Sequence, residues 1–194
     1  MKYILSALFI LISFPLPAQK QIKEKDVHFN DSIYYYKNKP VKGAYKVKRN
    51  KPNNHFSEIA TYKNGIKEGR AKILWFNKLE EEGYYMNNMR EGVWKTYYHF
   101  NGKLNKISKY SNNIKEDLEI VYNHSSEDSL FYVNGELDGI QTNNDKYKGR
   151  TEISYDKGTI IASFRHTTKG RLEEECKYIG NNQLIHYYIY LKNK

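Results

Sequence analysis

Residues 62–69 of this 194-residue chain read Tyr-Lys-Asn-Gly-Ile-Lys-Glu-Gly, and two close copies follow at residues 85–92 and 132–139. A tyrosine opens each copy, a glycine closes it seven residues later, and an Asn-Gly or Asn-Asn pair lies between them. Asn-Gly tolerates the positive φ that a two-residue type I′ turn requires, and Asn-Asn does so less well. Each copy therefore predicts a β-hairpin, and the recurrence predicts a repeat protein.

The repeat extends in both directions along the chain. Its tyrosines are separated by 26, 23, 25, 22, 23 and 23 residues, and they are Tyr36, Tyr62, Tyr85, Tyr110, Tyr132, Tyr155 and Tyr178. In four units a glycine follows seven residues later, namely Gly43, Gly69, Gly92 and Gly139. The clearest turn pairs are Asn64-Gly65 and Asn134-Gly135, and the unit that begins at Tyr36 has no Asn-Gly pair. Asp117, Ala162 and Ile185 replace the glycine elsewhere, and degenerate end units are expected of the caps of a repeat array.

Apolar residues alternate with other residues after the glycines, which is typical of a strand with one apolar face. The alternating sets are Ala71, Ile73 and Trp75 in one unit and Trp94, Thr96 and Tyr98 in the next. We predict that Trp75, Trp94 and Tyr98 form an interaction face, with the core of the repeats as the alternative place for them. The acidic runs at residues 80–82 and 173–175 are expected to lie on the solvated surface.

The predicted fold class is all-β, an elongated single-layer antiparallel β-meander of repeated hairpins. A unit of about 23 residues accommodates two strands and two turns, and no segment after the N-terminal region shows a sustained helical period. The alternative is a closed up-and-down barrel, which the same alternation could build.

The repeat resembles that of the MORN-repeat proteins, and more closely the bacterial variant in the YwqK antitoxin-like family. The resemblance rests on residues 62–69, 85–94 and 132–139 and covers most of the chain from about Tyr34 onward. It implies the twisted meander described above. It also implies two functions that differ from a general scaffold, namely neutralisation of a partner toxin and binding to a membrane surface.

The N-terminal residues predict a signal peptide. Lys2 precedes an apolar run from Tyr3 to Phe14, and a small residue, Ala18, offers a cleavage position. The run is shorter than the roughly 20 residues that a spanning helix needs. We expect cleavage near Ala18, and hence a periplasmic, outer-surface or secreted protein. The predicted organisation is a signal peptide at 1–18, a basic lead-in at 19–33 and a repeat domain at 34–194.

The net charge is +10, and basic residues are concentrated between Lys20 and Lys51. Such a segment could attract an anionic surface such as phospholipid or an acidic glycan. Lysines that solvate strand edges are the alternative reading. No nucleic-acid motif accompanies the charge, so no nucleic-acid partner is expected.

Sequence patterns for catalysis, cofactors and metals are missing. The six histidines stand singly, without the spacing of a metal site, and neither a nucleophile elbow nor a phosphate-binding loop is present. The single cysteine, Cys176, stands two residues before Tyr178, in the place of Gly83, Ser108 and Ile153 in other units, so it is expected to be structural. The chain is therefore expected to have no catalytic residues, cofactor or metal.

The predicted function is that of a non-enzymatic exported module that binds a protein partner or acts as a scaffold. An extended repeat array with many aromatic residues offers the kind of surface that is enriched at interfaces. The alternatives are an immunity or antitoxin-like protein and a peripheral binder of anionic membranes. Because an open sheet has free edge strands, a homodimer is also expected.

Overall fold

Residues 20–48, 55–179 and 183–189 are described by the computed structural model of the chain. The expected signal peptide lies outside these residues, as do Arg49 and Lys51 of the basic segment. The strands are β1 Lys20–Lys23, β2 Val27–Asn30, β3 Ile33–Tyr36, β4 Lys39–Pro40, β5 Gly43–Lys48, β6 Phe56–Lys63, β7 Ile66–Trp75, β8 Lys78–Met86, β9 Met89–Tyr97, β10 Leu104–Ser111, β11 Ile114–Lys115, β12 Asp117–Tyr122, β13 Ser126–Val133, β14 Glu136–Leu137, β15 Gly139–Asp145, β16 Gly149–Asp156, β17 Thr159–His166, β18 Leu172–Ile179 and β19 Gln183–Ile189. One 3₁₀ turn, Glu24–Asp26, joins β1 to β2.

The strands form one large open sheet and one small sheet. From β5 to β19 the large sheet follows chain order with antiparallel neighbours, whereas β1 pairs in parallel with β5. The short strands β11 and β14 pair with β10 and β13. The prediction of an all-β meander of hairpins is confirmed, and the alternative of a closed barrel is wrong because the sheet remains open.

The Asn-containing turns adopt the backbone conformation that their residues predict. Asn64 and Gly65 have φ of 51° and 80°, and Asn87 and Asn88 have φ of 51° and 66°. Both residues of each pair are therefore in the left-handed region, as a type I′ turn requires. The same holds at Asn112-Asn113, Asn134-Gly135 and Lys157-Gly158. At the Asn-Gly and Asn-Asn pairs the hairpin follows from residues that adopt this φ at low cost, and at Lys157-Gly158 the glycine is such a residue.

The repeat tyrosine of one unit pairs across the strands with the glycine position of the unit before it. The pairs are Gly43 with Tyr62, Gly69 with Tyr85, Gly92 with Tyr110, Asp117 with Tyr132 and Gly139 with Tyr155. Paired residues point to the same side of a sheet. We call this side face A and the opposite side face B. A residue without a side chain thus stands beside each of four aromatic rings.

The first unit departs from this arrangement. Tyr36 pairs with Lys39 in the small three-stranded sheet, so that Tyr35, paired with Pro40, takes the hairpin position that the other repeat tyrosines hold. The boundary expected at residue 34 falls inside β3. The small sheet folds over face A, where the Tyr34 amide donates to Gly65 O at 2.7 Å and the Tyr34 and Tyr62 rings lie 5.4 Å apart.

The core lies between the small sheet and the N-terminal half of face A. Its buried members are Val41, Ala60, Tyr62, Ala71, Tyr85 and Trp94. Trp94 is only 2% exposed and lies over Gly83, where an added Cβ would come within 2.3 Å of the indole ring. Burial of large aromatic side chains supplies most of the hydrophobic stabilisation in such a thin sheet.

Candidate functional site

The repeat tyrosines are structural. Tyr62 and Tyr85 are buried, and Tyr110, Tyr132 and Tyr155 are half-buried in the same row of face A. Burial, and then the nearby Glu58 carboxylate, raise the pKa of Tyr62 and Tyr85 well above the ordinary value of a phenol. Both hydroxyls therefore stay protonated, which fits packing rather than acid–base chemistry.

A basic residue two positions before the glycine position forms a repeated contact that the sequence reasoning missed. Lys67 Nζ lies 2.6 Å from Glu58 Oε2 and 4.9 Å from the centre of the Tyr85 ring. The ammonium group thus combines an ion pair with a cation–π contact to the next repeat tyrosine. Its sequence signal is a basic residue five positions after the tyrosine in three successive units.

The next two units repeat this contact. Arg90 lies 2.6 Å from Glu81 and 5.5 Å from the Tyr110 ring centre, and Lys115 lies 2.8 Å from Glu119 and 4.6 Å from the Tyr132 ring centre. The expectation that the acidic run at residues 80–82 lies on the surface is therefore wrong for Glu81, whose side chain is half-buried. Glu81 faces the row of tyrosines, because successive side chains of a strand point to opposite faces. We call Lys67, Arg90, Lys115 and their carboxylate partners the cation ladder.

The pKa values of both groups in the last pair of the cation ladder, Lys115 and Glu119, are shifted. Burial disfavours the charged form of Glu119, but hydrogen bonds from Lys115 and Ser108 outweigh it and hold the pKa of Glu119 below its ordinary value. Burial likewise opposes the Lys115 ammonium, and Glu119 more than compensates, so that the pKa of Lys115 is raised. Both groups are ionised at neutral pH, and the cation ladder is a stabilising feature of face A.

The three residues of the predicted interaction face lie in two different environments. Trp94 is part of the core, and its Nε1 donates to Tyr84 O at 3.1 Å. Trp75 is 36% exposed at the end of β7, and Tyr98 follows β9 and donates its hydroxyl to Tyr122 O at 2.6 Å. Only Trp75 and Tyr98 are thus near the surface, and both lie at the edge opposite the type I′ turns of the repeat.

Further aromatic side chains surround Trp75 at this edge. The ring of Trp75 lies 4.7 Å from that of Phe56, 6.1 Å from Phe76 and 6.0 Å from His99. His55 stacks on Phe76 at 3.7 Å, and Tyr98 contacts Phe100 at 5.3 Å. We call these seven residues the aromatic edge: His55, Phe56, Trp75, Phe76, Tyr98, His99 and Phe100.

Phe76 is held in a conformation that is unusual for its type. Its φ is 47°, and with Asn77 it forms the turn between β7 and β8. A bulky residue in the left-handed region costs roughly 1–2 kcal/mol. The side chain is also 52% exposed, so burial does not explain the choice of residue. Phe76 therefore combines a strained backbone with an exposed apolar ring.

A groove adjoins the aromatic edge. It has a volume of about 460 Å³, and Leu79, Tyr97, His99 and Phe100 line it together with Lys78 and the loop at Asn101-Gly102. Phe100 is 74% exposed on its rim. The groove is large enough to accept an apolar side chain of a partner, and the aromatic edge provides the surrounding contact surface.

Face B carries a second exposed apolar surface. Val93, Leu118, Phe131 and Ile140 are exposed by 53%, 46%, 39% and 60%. Val93 pairs with Lys109, and Leu118 pairs with Phe131. The registers of β10 with β12 and of β13 with β15 align these pairs and Ile140 in one row across the sheet, which also contains Lys109. We call these four residues the apolar row. Sequence reasoning missed it because it considered only the alternation that contains Trp75 and Trp94.

The described residues contain no group of three histidine, cysteine or acidic side chains that could hold a metal ion. Cys176 is half-buried, with Ser163 and Tyr187 as its cross-strand neighbours. A second groove of about 600 Å³, lined by loop residues such as His124, Lys146 and Arg150, is broad and open. In this part of the chain no helix has the length and apolar character needed to cross a membrane.

Comparison with known proteins does not assign this chain to a family. No protein-family model and no curated protein matches this chain. The resemblance to the YwqK antitoxin-like family therefore stays a prediction from the repeat residues.

Proposed function

We propose that this protein is a non-enzymatic, exported binding module that captures a protein partner through the aromatic edge. The observation that carries this proposal is the cluster of Trp75, Phe76 and Phe100, three large apolar rings that remain exposed beside a groove. Aromatic side chains clustered around a pocket are the usual centres of binding energy at protein interfaces. A rigid sheet supports them at the ends of paired strands, which limits the entropy lost on binding.

The partner recognised by such a surface presents an apolar or aromatic side chain to the groove. Lys78 at the groove and Lys103 in the adjoining loop add positive charge, so acidic residues around that side chain would improve the fit. If the expected signal peptide directs export, the partner lies outside the cytoplasm. An immunity or antitoxin-like role is one form of this activity, with a toxin as the partner.

Comparative capture tests the proposal. Immobilised residues 19–194 would be incubated with a cell-envelope extract beside the triple variant Trp75→Ser, Phe76→Asn and Phe100→Ser. The matched control carries Phe29→Ser and Tyr147→Ser, which remove rings that are 59% and 72% exposed away from the aromatic edge. We expect one protein to be retained by the wild type and the control in high salt, and about tenfold less by the triple variant.

Two results would contradict the proposal. Equal retention by all three proteins would place the binding surface elsewhere. Retention of lipid or anionic polymer alone, with release by salt, would instead support the exposed lysines of the N-terminal region, such as Lys20, Lys23 and Lys39. Thermal unfolding of each variant shows whether a loss of binding reflects a loss of fold.

A further inference from the structure

The apolar row on face B has no covering element among the described strands. The small sheet lies on face A, where Tyr34 contacts Tyr62, whereas the apolar row points the other way. Its four residues extend across β9, β10, β12, β13 and β15, a width of about 20 Å at roughly 4.8 Å between strands. A surface of this length suits another sheet better than a single side chain, because sheets bury apolar faces by packing face to face.

We propose that a second copy of this chain covers face B, and that the two sheets pack with a two-fold axis parallel to their strands between β10 and β12. This surface is distinct from the aromatic edge, so the inference does not depend on the proposed function. An isologous interface requires a surface that is complementary to itself after rotation. Face B meets this requirement in both apolar residues and charge.

Exposed apolar side chains lie on both sides of the proposed axis, and next to the axis Lys109 of β10, which is ion-paired to Asp117, stands opposite Leu118 of the other copy. Rotation places β9 opposite β13 and β8 opposite β15, because the antiparallel order is continuous across this part of the sheet. Val93 then faces Phe131, and Tyr84, which pairs with Glu91 beside the row and is 44% exposed, lies on the strand opposite that of Ile140. Beside this row, Ile107 pairs with Ile120 across β10 and β12, so the same rotation sets isoleucine against isoleucine.

The charges on face B are complementary under the same rotation. On the N-terminal side of the axis, basic residues outnumber acidic ones among the strand-paired residues of face B. They are Lys46, Arg70, Lys72, Lys95 and Lys109 against Glu82 and Glu91. On the C-terminal side the balance is reversed, with Glu127, Glu136, Glu152, Asp156 and Glu175 against Arg150 and Lys177. The rotation therefore places the basic N-terminal side of each copy over the acidic C-terminal side of its partner.

One ion pair between copies is specified by this geometry. Lys72 pairs with Glu82 in β7 and β8, and Glu152 pairs with Thr142 in β16 and β15, so that all four lie in one row of face B. Since β7 and β16 are equally distant from the axis, Lys72 of one copy faces Glu152 of the other. Charge complementarity of this kind fixes the register of an interface more than it adds affinity.

Analytical ultracentrifugation of residues 19–194 over a range of concentrations tests the proposal. We expect a monomer–dimer equilibrium whose dissociation constant rises at least about tenfold in Phe131→Glu, because a carboxylate is then buried in the apolar row. The control Tyr147→Glu places the same charge at an exposed site outside the row and should leave the equilibrium unchanged.

Charge reversal tests the orientation independently of the apolar row. Lys72→Glu and Glu152→Lys should each weaken the dimer, and the double variant should restore it to within about threefold of the wild type. A wild type that is monomeric at all concentrations would overturn the proposal. So would a dimer that is insensitive to Phe131→Glu, which would place self-association at the edge strands, or a double variant weaker than both single variants.

Discussion

At the scale of single residues, two aromatic side chains show how the same residue type serves the core in one place and the surface in another. Trp94 lies above Gly83 with its Nε1 bonded to a backbone carbonyl, whereas Phe76 is exposed on a strained turn. The first position depends on space left by a missing side chain. The second depends on a backbone conformation that most residues avoid.

Gly83→Ala is expected to destabilise the protein by about 1–3 kcal/mol. The new Cβ would lie 2.3 Å from the Trp94 ring, and the hydrogen bond at Nε1 prevents the indole from moving away freely. Urea denaturation measures the change. Gly92→Ala serves as the comparison, since a Cβ there meets no atom within 4 Å and any cost arises from its φ of 66°. Unchanged stability in Gly83→Ala would contradict the packing described here.

Phe76→Asn is expected to be more stable than Phe76→Ala by about 1 kcal/mol. Both variants remove the ring, but Asn adopts the left-handed region more readily than Ala. The comparison therefore isolates the backbone cost at φ of 47° from the loss of ring contacts. Chemical denaturation of the two variants gives the difference, and equal stabilities would show that the turn is unstrained.

At the scale of structural elements, each hairpin is joined to the next by a row of contacts on face A. The glycine position, which has a positive φ, pairs with the next tyrosine, and the cation ladder links successive units through Lys67, Arg90 and Lys115. A repeat array gains its stability from such nearest-neighbour contacts. Loss of one contact should therefore weaken the junction of two units.

Glu119 makes the stability of one such junction depend on acid pH. Because the pKa of Glu119 is lowered in the folded protein, its contribution is fully present above the ordinary carboxyl range. That contribution is lost as the pH falls through the lowered pKa. Glu119→Gln should cost about 1–3 kcal/mol at pH 7, with a smaller cost at pH 3. Glu127→Gln, in which the changed residue is exposed, is the control.

The measurement is the free energy of unfolding of the three proteins at a series of pH values. A constant difference between wild type and Glu119→Gln across the acid range would contradict this account, since it would mean that ionisation of Glu119 contributes nothing. A loss in Glu127→Gln of the same size would show that the effect is not specific to the ladder.

At the scale of the whole molecule, the sequence was sufficient to predict the meander but insufficient to predict its exposed surfaces. Asn64-Gly65 and Asn134-Gly135 determine local turns, and the spacing of tyrosine and glycine follows from the length of a hairpin. The β-bulges decide which side chains meet across strands; the repeat glycine Gly69, with φ of 120°, marks the one between β6 and β7, but no residue pattern marks the shift between Ile73 and Leu74. The cation ladder and the apolar row therefore became evident only from the pairing.

The position of the first unit could not be predicted from the sequence either. Tyr36 fits the repeat spacing, but Lys37 and Asn38 form the turn one residue earlier than in the other hairpins, with φ of 51° and 59°. The result is a small sheet that folds over face A and contributes Tyr34 and Val41 to the core. A tertiary contact of this kind depends on the shape of both sheets rather than on local propensity.

Small-angle X-ray scattering of residues 19–194 tests whether the sheet is open and so presents an edge and a face to partners. Fourteen strands follow one another along the main path of the sheet, so the particle should exceed about 60 Å in length. Its radius of gyration should be about 20 Å, a value that face-to-face pairing changes little. A radius near 16 Å, that of a compact chain of this length, would show that the sheet is not open and extended.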